Sequence, residues 1–117
     1  MAVEVRIMGF KSDSDTRKAQ RFFAERRIKV HFIDLGANPV QPGELRRFAQ
    51  VLGLTDIIDR AGPAFLKSGL AGRGLSEPKW LEALANQPKL LRVPLCRCGQ
   101  AVTVGLAEET WREWAAG

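Results

Sequence analysis

The 117-residue sequence offers few residues that could bind a metal and no segment that could cross a membrane. Its two cysteines and single histidine, His31, fall short of the four ligands of a structural zinc site, so no metal is expected. No apolar run approaches the ~20 residues of a membrane-spanning helix, and the N-terminus lacks the apolar core of a signal peptide. These absences favour a cytoplasmic protein with reduced thiols and no membrane association.

The composition is that of an ordinary globular chain, with 45% hydrophobic and 26% charged residues. At this length we expect one compact domain spanning residues 1–117. The net charge of +5 permits an acidic protein or a nucleic acid as partner but requires neither.

Hydrophobic periodicity predicts the order β-α-β, a helical insertion, then β-β-α. Because a helix separates the first two strands, they should be parallel, and the last two should form a hairpin around the sequence RCGQ. Ser76 is expected to cap the third long helix, and Trp111 and Trp114 should share one packed face of the last. The fold class is thus α/β, a mixed four-stranded sheet with flanking helices. Strands are predicted at 2–8, 28–33, 92–96 and 101–105, helices at 14–26, 42–52, 77–87 and 107–115, and short helical pieces across 54–74.

The junction between the first strand and helix, GFKSDSDTRKAQ at residues 9–20, carries negative charge. Asp13, Ser14 and Asp15 suit the cap and first turn of a helix, where carboxylates complement the helix dipole. The alternative is an Asp-x-Asp metal or acid–base site, but the sequence supplies no partners nearby.

Three segments in order resemble the arsenate reductase (ArsC) family of the thioredoxin-like fold, which also contains the Spx-type transcription regulators. KSDSDTRKAQRFFAERRIKVHFIDLGANP resembles the family's first βαβ unit. LSEPKWLEALANQPKLLRVPL resembles the segment that ends in a cis-proline beside the active site, and AVTVGLAEETW resembles the closing strand and helix. The resemblance covers nearly the whole chain and implies a thioredoxin-like fold.

The family's active-site motif runs roughly K-x-C-x-T-C-R-K-A, and this sequence departs from it at the nucleophile. The resemblance places the nucleophilic cysteine on Asp13 and the second, variable cysteine on Thr16, whereas Lys11 and the RKA residues match. The two arginines that hold arsenate in the family fall on Ala61 and Val93, each one residue after an arginine of this chain, Arg60 and Arg92; the proline is kept as Pro94. Because a carboxylate cannot carry out thiol exchange, the resemblance implies a scaffold without arsenate reductase activity.

Three functions follow as hypotheses. The first is a non-catalytic binding or regulatory module like Spx, which in that family contacts RNA polymerase. The second is an oxidoreductase that uses Cys96 or Cys98 with glutathione. The third is a small-anion-binding protein, although the charge of Asp13 opposes an oxyanion at the helix N-terminus. No other cofactor is expected. The residues predicted to line the third kind of site are Lys11, Ser12, Asp13, Arg60, Arg92 and Pro94.

Two further features have a structural and a functional interpretation. Cys96 and Cys98 form either a redox C-x-C pair on one strand face, or a small apolar strand residue followed by a turn residue. A basic cluster around the first helix forms either a solvated face or a surface for an acidic protein or nucleic acid. Because few aromatic residues are interleaved, direct nucleic-acid binding is not favoured. The cluster comprises Arg17, Lys18, Arg21, Arg26, Arg27 and Lys29.

Overall fold

The computed structural model describes residues 3–116, which form two compact units. The first unit combines the chain up to Asn38 with the chain from Val93 onward, and the second is Pro39–Arg92. The prediction of one domain over 1–117 stays a prediction.

The first unit contains a mixed four-stranded sheet in the order β2-β1-β3-β4. Strand β1 pairs in parallel with β2 and antiparallel with β3, and β3 forms an antiparallel hairpin with β4. The predicted α/β class and mixed sheet are therefore confirmed. The strands are β1 Glu4–Gly9, β2 Lys29–Asp34, β3 Leu95–Cys98 and β4 Ala101–Val104.

Two helices, α1 (Ser14–Glu25) and the C-terminal α5 (Glu108–Ala116), share a core with one face of this sheet. Trp111 of α5 is fully buried, and its ring centroid lies 5.6 Å from those of Phe22 and Phe23 on α1. Trp114 stacks on Phe23 at 6.3 Å, so the two tryptophans share one packed face as predicted. The strands contribute Val5, Ile7 and Cys96.

The end of α1 carries an unusual backbone conformation. Arg27 has a φ of 58°, in the left-handed region that non-glycine residues seldom adopt. Its amide donates to Ala24 O at 3.0 Å, and Ile28 N donates to Phe23 O at 3.0 Å. These two bonds satisfy carbonyls at the helix end and turn the chain into β2, as in a Schellman motif.

The second unit is helical. It contains α2 (Pro42–Leu52), α3 (Pro63–Ser68) and α4 (Glu77–Asn86), with single 3-10 turns at Thr55–Ile57 and Pro88–Leu90. Prolines begin α2 and α3, where the missing amide hydrogen would have no intrahelical partner. Helix α2 packs on α4, and the rings of Phe65 and Trp80 stack with centroids 6.4 Å apart.

Three details of the sequence-based prediction need correction. Strand β3 begins at Leu95 rather than 92, and Cys98 is a strand residue, because it pairs with Ala101 across a two-residue turn. Gly99 supplies the positive φ of 60° that this tight turn requires. Ser76 stands at the N-cap of α4, but its hydroxyl makes no capping hydrogen bond. The first strand was predicted from Ala2, which lies outside the described residues.

Candidate functional site

The loop from β1 to α1 is a tight turn that presents two exposed side chains and one half-buried carboxylate. Asp13 N donates to Phe10 O at 3.0 Å, which closes the turn. Lys11 and Ser12 are exposed at its tip, whereas Asp13 is half-buried at the N-cap of α1 with extended backbone. The predicted helix-capping role of Asp13 is therefore confirmed.

Thr16 holds the Asp13 carboxylate. Asp13 Oδ2 accepts a hydrogen bond from Thr16 N at 2.8 Å and another from Thr16 Oγ1 at 2.9 Å. Thr16 is fully buried, and its side chain lies directly against Gly9, where an added Cβ would collide with Thr16 Oγ1. Contacts among Gly9, Asp13 and Thr16 therefore fix the end of β1 against the start of α1.

Sequence reasoning identified Asp13 but missed the part played by Thr16. The sequence does indicate this contact. Asp13 and Thr16 are three residues apart, which is the spacing of the two hydrogen-bonding side chains in a capping box. The resemblance instead places the family's second, variable cysteine on Thr16. The structure shows a buried hydroxyl whose acceptor is the capping carboxylate.

Pro94 lies at the same end of the sheet as this loop. The Val93–Pro94 peptide bond is cis, as the resemblance implied, and Pro94 is buried. Leu95 pairs with Met8 in the antiparallel ladder, so Pro94 adjoins the end of β1 from which the loop starts. Its carbonyl accepts from Gly105 N at 2.9 Å, which connects this segment to the end of β4.

Arg60 and Arg92 belong to the second unit, and each has partners there. Arg92 is exposed; its Nη1 donates to Asp56 O at 3.0 Å and its amide donates to Ile57 O at 2.9 Å. The guanidinium carbon of Arg60 lies 5.4 Å from the Phe65 ring centroid and 5.8 Å from that of Trp80. Anion binding by these arginines with Lys11 and Ser12 stays a prediction.

The two cysteines are free thiols on one face of β3. Cys96 is fully buried, and this burial raises its pKa from 9.0 to about 12 despite a hydrogen bond from Thr103 that favours the thiolate. Thr103 Oγ1 also accepts from Trp111 Nε1 at 2.9 Å. Partial burial raises the pKa of Cys98 as well. Both thiols therefore stay protonated near neutral pH, the form with little nucleophilicity.

Metal ligands do not gather anywhere in the part of the chain that the structure describes: no three His, Cys, Asp or Glu side chains could hold an ion together. Within residues 3–116, no helix is long and apolar enough to span a membrane.

Comparison with known proteins gives the fold and family. The chain is 29% identical over 104 residues to the uncharacterized protein YusI of Bacillus subtilis, covering 85% of this chain and 88% of the relative. An arsenate reductase from Vibrio cholerae superposes with a TM-score of 0.85 at 22% identity, over 97% of this chain and 98% of that one.

A glutaredoxin from Archaeoglobus fulgidus superposes with a TM-score of 0.50 at 14% identity, over 98% of this chain and 88% of that one. These likenesses confirm the thioredoxin-like fold. The model of the ArsC family matches residues 9–114, which include the loop before α1, the cis-proline segment and α5. The chain therefore belongs to the ArsC family.

Proposed function

We propose that this ArsC-family protein acts by binding a partner protein, as a regulatory module of the Spx type, and not by thiol chemistry. The observation that carries the proposal is the pair of hydrogen bonds that Asp13 accepts from Thr16. The residue at the position that the resemblance assigns to the nucleophile is a carboxylate that accepts both the amide and the hydroxyl hydrogen of Thr16. It serves the helix terminus as a structural cap.

The chemistry of the side chain supports this proposal. Thiol–disulfide and thiol–arsenate exchange require a sulfur nucleophile, which a carboxylate does not replace. A carboxylate at the helix N-terminus also opposes the binding of a second anion there, because both would compete for the same partial positive charge. Asp13 thus argues against arsenate chemistry and against the small-anion hypothesis alike.

The remaining thiols argue against the glutathione-linked alternative. Cys96 is enclosed in the core with a pKa of about 12. Its thiol is therefore protonated at neutral pH and inaccessible to a glutathione disulfide. Cys98 is only partly buried, but its pKa is raised too. A strand places the two sulfurs on the same face, and burial is the largest influence on the pKa of both thiols.

The first experiment measures arsenate reduction with glutathione, glutaredoxin and glutathione reductase, followed by NADPH oxidation. We expect no turnover above the protein-free rate. Turnover that the Cys96→Ser or Cys98→Ser variant abolishes would overturn the proposal in favour of an oxidoreductase. Retention of RNA polymerase by the immobilised protein supports the regulatory role, and a clean negative removes the Spx-type assignment.

A second experiment restores a thiol at the site. In a Cys98→Ser background, the thiol of an Asp13→Cys variant should alkylate rapidly with iodoacetamide at neutral pH, because the helix N-terminus stabilises its thiolate. The matched control is Ala24→Cys, an exposed position in the last turn of α1 where the dipole has the opposite effect. Equal rates for the two thiols would show that the α1 terminus no longer activates a nucleophile and would leave the scaffold unlike its catalytic relatives.

A further inference from the structure

The basic cluster of α1 borders a groove that α1 and α5 form together in the first unit. The groove has a volume of about 270 Å³, and Phe22 forms part of its lining. Four cations line it, three from the α1 segment and one from α5: Lys18, Arg21, Arg26 and Arg112. Two carboxylates, Glu25 and Glu108, lie among them. The groove therefore carries an excess of positive charge but is not uniformly basic.

One cation is already fixed in position. The Arg26 guanidinium carbon lies 3.6 Å from the centroid of the Phe22 ring, and Arg26 Nη1 donates to Phe22 O at 3.0 Å. Stacking on the ring and bonding to the carbonyl hold the planar group, so less rotamer entropy is lost when its remaining N–H donors bind an anion. A ligand carboxylate would meet a preorganised donor at the edge of the groove.

The other cations are weakly engaged. Arg112 lies 3.7 Å from Glu108 and Lys18 lies 4.0 Å from Asp15, both between side chains that are 41–61% exposed. Such surface pairs contribute little and exchange readily for a better partner. Among the described residues, the structure gives Arg21 no ion pair. The cations of the groove are therefore available to pair with the carboxylates of a ligand.

We propose that this groove is the docking site for an acidic peptide segment of a partner protein. The assignment rests on the proposed function, since it names the surface with which a binding module would contact its partner. Charge complementarity selects the occupant: carboxylates of the peptide pair with Arg21, Arg26 and Arg112. A nucleic acid fits less well, because the Phe22 ring is buried and covered by Arg26 and therefore cannot stack on a base.

The test measures binding of a fluorescein-labelled ten-residue glutamate peptide by fluorescence anisotropy at low salt. The groove variant is Arg21→Glu with Arg112→Glu. The matched control, Arg46→Glu with Arg73→Glu, reverses two exposed arginines of the second unit and has the same net charge. We expect the groove variant to lose roughly tenfold more affinity than the control, because both variants lose the same long-range attraction at low salt but only the groove variant also loses direct pairs with the peptide.

Equal losses in the two variants, or no binding by the wild-type protein, would overturn the assignment. So would tighter binding of an oligothymidylate of equal charge that the groove variant abolishes, because the surface would then serve a nucleic acid. Thermal unfolding of each variant excludes misfolding as the cause of a loss. The proposed function is tested separately by the arsenate assay, so a negative peptide result with no arsenate turnover would reject this groove alone.

Discussion

The capping role of Asp13 predicts that removing its side chain lowers the free energy of unfolding by a large amount. Asp13→Ala removes the cap of α1, which is worth about 1 kcal/mol at a typical helix. It also removes the acceptor of the Thr16 hydroxyl, which is fully buried. A buried polar group left without its partner costs about 1–3 kcal/mol. The free energy of unfolding should therefore fall by about 2–4 kcal/mol.

The assay is urea denaturation followed by tryptophan fluorescence, which reports on Trp111 and Trp114 in the same unit as Asp13 and on Trp80 in the second unit. A loss of this size is a large share of the ~5–15 kcal/mol of a typical domain but leaves it folded. Asp13→Asn retains an amide oxygen as acceptor and should cost less than Asp13→Ala. The control, Asp15→Ala, removes a first-turn carboxylate that pairs with exposed Lys18 at 4.0 Å and should cost below about 1 kcal/mol.

A double-mutant cycle isolates the bond between the two side chains. Thr16→Val removes the hydroxyl while keeping the shape of the side chain, so Asp13→Ala should cost about 1–3 kcal/mol less in that background. The same cost for Asp13→Ala in both backgrounds would refute the reasoning. It would show that the hydroxyl contributes nothing and that the carboxylate stabilises α1 through its charge alone.

Three further predictions concern the rest of the first unit. Thr103→Val should lower the unfolding free energy by about 1–3 kcal/mol, because it leaves the buried Trp111 indole N–H unpaired, whereas Thr103→Ser should restore most of it; urea denaturation distinguishes them. Arg27→Gly should raise the free energy of unfolding by about 0.5–1 kcal/mol, and with it the thermal midpoint, because glycine adopts a φ of 58° without steric cost. An unchanged midpoint would mean that contacts of the Arg27 side chain compensate for the strain. The raised pKa of Cys96 favours its protonated form in the fold, so stability is retained below pH 9 and lost between pH 9.0 and about 12, by up to ~1.4 kcal/mol per pH unit. Unfolding titrations should show a shallower loss in this range for Cys96→Ala than for the wild type.

The sequence was sufficient to predict those parts of the fold that depend on local rules. Periodicity located the helices and strands, and the Asp13 cap followed from its place before a helical pattern. The position of β3 was less accessible, because Pro94 has no amide hydrogen to donate to a ladder and a two-residue turn around Gly99 extends the strand to Cys98. The left-handed Arg27 was not foreseen, since an arginine there gives no local signal of a helix end.

The contacts that define the site could not be read from the sequence for a different reason. The bond from Trp111 to Thr103 joins α5 to β4, and its geometry depends on how the helix packs over the sheet. The burial of Cys96 likewise depends on both α1 and α5 covering its strand face. The C-x-C spacing predicted the shared face correctly but not the enclosure that raises the pKa of Cys96 to about 12.

The position of β1 between β2 and β3 has a consequence for how the molecule opens. The amides of a strand with hydrogen-bonded neighbours on both sides exchange with solvent only when a large part of the structure unfolds, whereas helix ends and edge strands fray locally. The loop that carries Asp13 emerges from this interior strand, and Leu35 N donates to Gly9 O at 2.8 Å at its very end. The amides of β1 and that of Leu35 should therefore exchange as slowly as the core, and mobility in this region should be greatest at the exposed Lys11 and Ser12.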